Sequence, residues 1–515
     1  MKNSLNPQKE IQATTKEWLG LVVLALPCML YSMDLTVLNL ALPQLSLHLK
    51  PSASQLLWIV DIYGFFVAGS LITMGNLGDR IGRRKMLLIG GFIFALTSCL
   101  AAFSTSAEML ILMRALQGMA GATLAPSTLS LIRVLFKNPH QRAQAIGLWG
   151  ASFSVGALLG PVVGGFLIEH FWWGSVFLIN IPIMVLLLIL GPKILPEYKN
   201  SKSETLDLSS AGLSLVAILT LIFGLKHIAE IGLSTLSMGS MVVGFLLGLF
   251  FIQRQKKLKN PLVDLNLFKN KIFNYLIVTN SLTMFVFFGT FIFNSQILQL
   301  VMGLSPMQAG LWSLPSTVGT FFSGIFAPKL TRYIRPAYLM SIGLVVGSIG
   351  FLIAAQVKGI NDLYLMTFAT VLYSMSCVPV LLFTTNMLVN SAPAEKAGST
   401  AALSETGNEL GGATGIALLG SVGTFIFQKN MTGSLAQIVS PEIRIKMSST
   451  LANALEFAQQ IKINDAALAN QLVEISKNSY LMSFKISMLI AAVILFFLSA
   501  LVIFRLKNIQ LENES

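Results

Sequence analysis

Three acids and one arginine stand where a long apolar sequence gives them no ordinary reason to be. Asp34 lies near the middle of the run Trp18–Leu45, WLGLVVLALPCMLYSMDLTVLNLALPQL. About 20 apolar residues suffice to cross a bilayer. An ionised carboxylate at that depth costs several kcal/mol, so it faces a protein interior or a watery cavity and carries function more often than not. Glu405 and Glu409 form a second acidic centre in Ser404-Glu-Thr-Gly-Asn-Glu-Leu-Gly-Gly. Four residues apart on a helix they share one face, and two close carboxylates in a low dielectric do not both ionise cheaply. That property suits a group exchanging a proton for a cation. Solvated acids at a helix end are the plainer alternative. Arg114, inside another apolar run, must find a carboxylate or carbonyl partner, for proton relay, conformational coupling or structure alone.

The elements that must position these groups are membrane helices. Of the 515 residues, 54% are hydrophobic and 11% charged, with a mean hydropathy of +0.74, against about 25% charged in soluble domains. The formal charge of +13 sits in short segments between apolar runs, as in cytoplasmic loops of membrane proteins, and no basic, aromatic-interleaved domain for nucleic acid is present. Cys28, Cys99 and Cys377 all lie in apolar runs without metal or disulfide spacing. The first run is too long for a signal peptide and reads as a true span.

Fourteen spans are expected, near 18–45, 55–76, 86–104, 108–131, 142–168, 173–195, 208–226, 235–253, 273–299, 308–328, 337–356, 362–389, 398–427 and 480–504. Twelve remain if the pair near 208–253 does not cross. With residues 1–17 (Lys2, Lys9, Lys16) and the tail 505–515 inside, basic residues cluster in inner connections: Arg80 to Lys85, Arg133 to Arg142, Lys193 to Lys202, Arg254 to Lys271, Lys329 to Arg335, and Lys396. Outer connections hold little beyond Lys50, Lys226 and Lys358. That asymmetry follows the positive-inside rule. The exception is 428–479, a mixed-charge outer segment with amphipathic, helix-friendly stretches, expected to be a hairpin or lid, spacer or regulator of access.

Pro139-His-Gln-Arg142-Ala143 resembles Pro393-Ala-Glu-Lys396-Ala397, and Gly75…Arg83 resembles Gly324…Arg332 at nearly the same offset. Two related six-span halves, 18–195 and 261–504, joined by a linker with two extra spans at 196–260, account for this.

Gly75-Asn-Leu-Gly-Asp79-Arg80-Ile-Gly82-Arg83-Arg84 is expected to form a tight basic loop, with Asp79 capping the next helix or pairing with an arginine. Gly156, Gly160 and Gly164, with Pro161 among them, present one smooth helix face for close packing, sliding or static.

These motifs resemble the major facilitator superfamily over nearly the whole chain, in particular its fourteen-span drug:proton antiporters. Arg114-Ala-Leu-Gln117-Gly118 is similar to that family's intramembrane arginine motif, Gly156 to Gly165 to its exporter signature, and Trp173 to Phe177 with Asn180 and Pro182 to a further motif. Met33-Asp34-Leu-Thr36 and Leu57-Trp58-Ile-Val-Asp61-Ile-Tyr63 resemble the quaternary-ammonium and dye exporters. The resemblance implies an all-α polytopic fold. It also implies membrane carboxylates at Asp34 and Asp61, with Arg114, Glu405 and Glu409 in proton and substrate coupling. Gly75, Asp79, Arg80, Gly82, Arg83, Gly156, Gly160, Pro161 and Gly164 would then serve conformational change. The tenth span departs from some relatives: Ser316, Thr317 and Thr320 stand there and no acid does, which argues against efficient handling of divalent cations. Tyr31, Trp58, Tyr63, Trp149 and Thr320 are candidates to line a cavity for a flat cation.

The expected protein is therefore a proton-driven exporter of lipophilic cations, multi-pass in a bacterial cytoplasmic membrane. It is expected to act as a monomer, with no cofactor or metal and no nucleic-acid partner. Export of an endogenous metabolite, amphiphile or siderophore is the alternative. No HExxH, Walker A, GxSxG or paired loop histidines support an enzyme, and only 428–479 is available for a sensor domain.

Overall fold

The computed structural model describes residues 12–199, 207–258, 261, 263, 265–390, 397–462 and 465–507. Lys2, Lys9, Lys202, Lys259, Lys396, the Pro393 end of the second repeat and the tail beyond Lys507 lie outside them. The described residues form helices and no strand. In order they are α1 (Thr15–Leu49), α2 (Ala53–Ile81), α3 (Arg83–Ala102), α4 (Ala107–Gly121), α5 (Leu124–Leu135) and α6 (Pro139–His170). Next come α7 (Ser175–Leu178), α8 (Asn180–Ile194), α9 (Leu208–Ile231), α10 (Thr235–Lys257), α11 (Lys271–Gln296) and α12 (Pro306–Leu330). The chain ends with α13 (Pro336–Ala354), α14 (Leu363–Asn390), α15 (Ala397–Ser434), α16 (Pro441–Met447), α17 (Leu451–Ile461) and α18 (Ala466–Leu506).

Local chemistry sets several starts. Thr14 with Glu17, Ser52 with Gln55 and Ser305 with Gln308 form reciprocal caps, the last followed by Pro306 at the first helical position. Twelve helices among the described residues are long and apolar enough to cross a bilayer. The expected span 108–131 is instead broken into α4 and α5 at Ala122–Thr123, where the Thr123 hydroxyl donates to the Ala120 carbonyl at 2.7 Å. α12, over the expected span 308–328, carries Ser313, Ser316, Thr317 and Thr320, which dilute its apolar character.

The basic loop is shorter than the sequence suggests. Gly75, Asp79 and Arg80 lie inside α2, and only Gly82 separates it from α3. Gly82 sits at φ +117°, and a Cβ there would strike the Glu197 carboxylate. Asp79 pairs with Arg83 at 2.7 Å and leaves the capping to Glu197, whose oxygens accept from the backbone amides of Arg84 at 3.0 Å and Lys85 at 3.2 Å. Gly82→Ala is expected to lower stability by about 1–3 kcal/mol, read as an earlier melting transition of the purified protein. An unchanged transition would show that the loop relaxes freely.

The described residues of the segment 428–479 are largely helical: α15 runs into it, α16 and α17 follow, and α18 begins within it. Met447, Leu451, Ala454, Ala458 and Leu472 are buried in one apolar cluster, with α17 packed on α18. Lys226 requires a second correction. It is no outer-loop residue, because α9 continues to Ile231 and holds Lys226 at 2% exposure.

α10 is the outlier in burial. Only 11% of its apolar window is covered, against 67% for α2, and Phe245, Leu246 and Phe250 stand exposed with Phe92, Ile189 and Phe496 elsewhere. Apolar surface of that extent belongs against lipid. Asp207 at the start of α9 holds Arg254 at the end of α10 at 2.9 Å, closing this hairpin.

α1 and α6 meet over a glycine face: a Cβ on Gly156 would strike the Met29 carbonyl, one on Gly160 the Thr36 hydroxyl, and one on Gly164 Val37. α11 and α15 repeat the arrangement, with Gly411 on Ser281 and Gly415 on Phe285. Small residues let backbones approach where no solvent drives association.

The α1–α8 and α11–α18 groups touch at the end where Lys50 lies. Glu169 accepts from the Ser305 hydroxyl at 2.7 Å and the Met307 amide at 3.1 Å. Gln299 donates to the Leu40 carbonyl at 3.0 Å, and Lys50 meets Glu456 of α17 at 3.0 Å. The α6 face that meets α12 there, at Pro161 and Gly165, continues toward the Gly82 end as Leu158, Ala151 and Gly147. Ala151 is exposed and a Cβ on Gly147 would meet nothing. That stretch of α6 is uncovered.

Candidate functional site

Asp34 and Arg114 find each other. Arg114 Nη1 donates to Asp34 Oδ2 at 2.5 Å, with the two residues 1% and 6% exposed, Arg114 the deeper. α4 places Gln117 one turn on, where its Oε1 accepts from Arg114 at 2.9 Å while its amide donates to Ser98 of α3 at 2.9 Å. Asn180, the first residue of α8, donates to Asp34 Oδ1 at 3.3 Å and to Ser98 at 3.2 Å. Four helices therefore converge on one buried pair, and the guanidinium lies 4.4 Å from the Tyr63 ring centroid. Arg114 Nε, Asn180 Oδ1 and the Tyr63 hydroxyl have no hydrogen-bond partner among the described residues. A buried pair with open valences is a costly arrangement.

Tyr31, one turn before Asp34 on α1, joins this pair to the other acidic centre. Its ring lies 5.9 Å from Tyr63, and its hydroxyl donates to Glu409 Oε1 of α15 at 2.5 Å. Glu409, Tyr31, Tyr63, Arg114 and Asp34 thus form a continuous line across the interface between the two helix groups. Glu405, one turn away on α15, is exposed and, among the described residues, accepts from Asn408 at 3.3 Å. Neither glutamate meets a lysine or arginine among the described residues, whereas Asp34 and Asp61 both do. Behind the glutamates, Asn280 of α11 donates to Asn408 at 2.6 Å and to Ser404 at 3.0 Å, and accepts from Thr384 at 2.9 Å.

A cavity of about 220 Å³ lies between α1, α6, α11, α12 and α14. Thr36, Phe287, Phe288, Asn294, Ser295 and Thr320 are among its lining residues, and no acid is. Of the cavity candidates, Thr320 is there. Tyr31 is at Glu409, Tyr63 is buried under Arg114, Trp58 lies over Lys226 at 3.8 Å, and Trp149 donates to Thr128 at 3.0 Å.

Asp61 is not brought to the other acids; it pairs at 2.7 Å with Lys226. Sequence reasoning missed that partner, although a lysine in the apolar run 208–231 is the same anomaly as Asp34. Glu197 and Asn280 were missed too, with no local signal to find them.

The fold and this line of side chains define a multi-pass helical membrane protein with charged groups buried between its helices. The family model described as Major Facilitator Superfamily matches residues 24–416, and the chain belongs to that superfamily. It is 39% identical to "Multidrug efflux pump LfrA" of Mycolicibacterium smegmatis, over 90% of this chain and 92% of that one. It is 35% identical to "Methyl viologen resistance protein SmvA" of Salmonella typhimurium, over 88% and 92%. Among solved structures, a bacterial homolog of the human lysosomal transporter Spinster in an inward-facing, unoccupied conformation superposes with a TM-score of 0.66 at 17% identity, covering 96% of this chain and 99% of that one. That likeness bears on the fold alone.

Proposed function

We propose that the protein is a proton-coupled antiporter exporting lipophilic, cationic drugs. In this reading it crosses a bacterial cytoplasmic membrane fourteen times, as a monomer with both termini and the Gly82 end inside. One observation carries it: Glu409 and Glu405 have no cationic partner among the described residues, and Glu409 is tied through Tyr31 and Tyr63 to the closed Asp34–Arg114 pair. The printed names of the relatives, a multidrug efflux pump and a resistance protein, support export.

The mechanism is competition at carboxylates. A lipophilic cation entering from the Gly82 end, where Glu405 is exposed, is drawn to a deprotonated glutamate. A proton arriving from the other side cancels that charge and releases the cation, while Arg114 and Asp34 sense the change through Tyr31. Asp61 belongs to the same coupling set. The glycine face of Gly156, Gly160 and Gly164, the kink at Pro161, and the Gly75–Arg83 turn with Asp79 and Arg80 carry the rocking motion. Exchange of one proton for one monovalent cation moves no net charge, so the pH gradient drives it. Each pH unit supplies about 1.4 kcal/mol, or roughly tenfold accumulation, and a potential of 100 mV adds about 2.3 kcal/mol only for each net charge moved. The acid-free lining of the cavity favours, as a second reading, export of an uncharged or amphiphilic metabolite.

Dye efflux from proteoliposomes tests the proposal. The wild-type protein is expected to move ethidium when a pH gradient is imposed. At least one of Asp34→Asn and Glu405→Gln is expected to abolish that coupling in folded protein. Normal coupling in both would overturn the assigned roles.

A further inference from the structure

α9 lies against α2 and α15, one from each helix group, and it carries a lysine into that contact. Lys226 Nζ is 2.7 Å from Asp61 Oδ2 and 3.8 Å from the Trp58 ring centroid, and Lys226 and Asp61 are only 2% and 1% exposed. One turn along α2, Phe65 packs with Ile222, Ala413 and Ala417, so the surroundings are apolar. The nearest acid on α15 is Glu409, beside Gly64.

A structural ion pair in such a place needs further hydrogen bonds to offset desolvation, and without them an apolar pair of similar volume serves as well or better. Here, apart from the 2.7 Å contact with each other, neither the Asp61 carboxylate nor the ammonium has a side-chain hydrogen-bond partner among the described residues. What the geometry does match is recognition of an organic ammonium: a carboxylate for its charge and an indole face for its methylenes.

We propose that Asp61 and Trp58 form a built site for an organic ammonium, held occupied by Lys226 as a tethered cation. The inserted helix thereby carries a surrogate of the exported cargo, and Asp61 stays closed to free cations while α9 is docked. The idea deepens the reading as a cation exporter and takes its purpose from it, but its test does not depend on transport.

Lys226→Ala removes the atoms Cγ to Nζ, which propylammonium replaces. Purified Lys226→Ala protein is expected to melt about 2 °C or more higher in propylammonium chloride than in equal potassium chloride or 1-propanol. No such rise is expected in the wild type or in Lys226→Ala/Asp61→Asn. Adding Trp58→Leu to Lys226→Ala should weaken the response. If the single variant accumulates only in cells grown with propylammonium, that equally supports the site. Absence of rescue, rescue undiminished by Asp61→Asn, or failure to accumulate with or without the amine overturns it. Because heat stability is the readout, a protein that fails to couple export to protons still reports whether this site binds an ammonium.

Discussion

Asp34→Ala protein is expected to accumulate poorly and to melt early. The substitution leaves the Arg114 guanidinium, 1% exposed, with Gln117 as its remaining hydrogen-bond acceptor among the described residues and a tyrosine ring beside it. Stranding one member of a buried pair costs about 3–5 kcal/mol, most of it the desolvation of the charge left behind. Asn180 and Gln117 lose an acceptor at the same time. Replacing both charges, as in Asp34→Ala/Arg114→Met, removes the stranded cation, so stability should return to near the wild-type level. Export should not return, because the proposed proton-sensitive pair is gone. Melting of the purified proteins and dye efflux from the same preparations separate the two effects. Equal melting of the single and double variants would mean that Arg114 finds another partner, and the pair would lose its assigned weight.

The second large effect is expected at the glycine faces. Alanine at Gly156 places a methyl group against the Met29 backbone carbonyl, and alanine at Gly415 places one against that of Phe285. Backbone atoms cannot rotate aside as a side chain would, so the helices must separate. Overpacking of this kind costs about 1–3 kcal/mol. Gly147→Ala, where the added methyl meets nothing, is the matched control and should be silent. If the faces also slide in transport, Gly156→Ala will lose more efflux than its stability change explains. A Gly156→Ala protein as stable and active as the control would show that α1 and α6 are not held at contact distance.

The helical segments, their glycine faces and the acid at position 34 are all legible in one dimension. Apolar length, small residues at every fourth position and a carboxylate inside an apolar run are properties of neighbouring residues. Arg114 is legible as a cation in need of a partner, because the cost of leaving it alone is general. The Gly75–Arg84 stretch is legible as a junction but not as a single-residue break, since the capping role falls to Glu197, more than a hundred residues away.

What only the tertiary structure decided was direction and partnership. In the sequence Lys226 sits at the edge of a loop, yet α9 continues past it and turns it onto Asp61. Tyr31, Trp58, Tyr63 and Trp149 are equal candidates for a cavity by type, and each is engaged elsewhere, while Thr320 faces the open volume. In water, hydrophobic periodicity tells which face of a helix is buried. In a bilayer the solvent is as apolar as the core, so that signal fades. Composition therefore determined that charged groups lie within the membrane, and packing determined which of them meet.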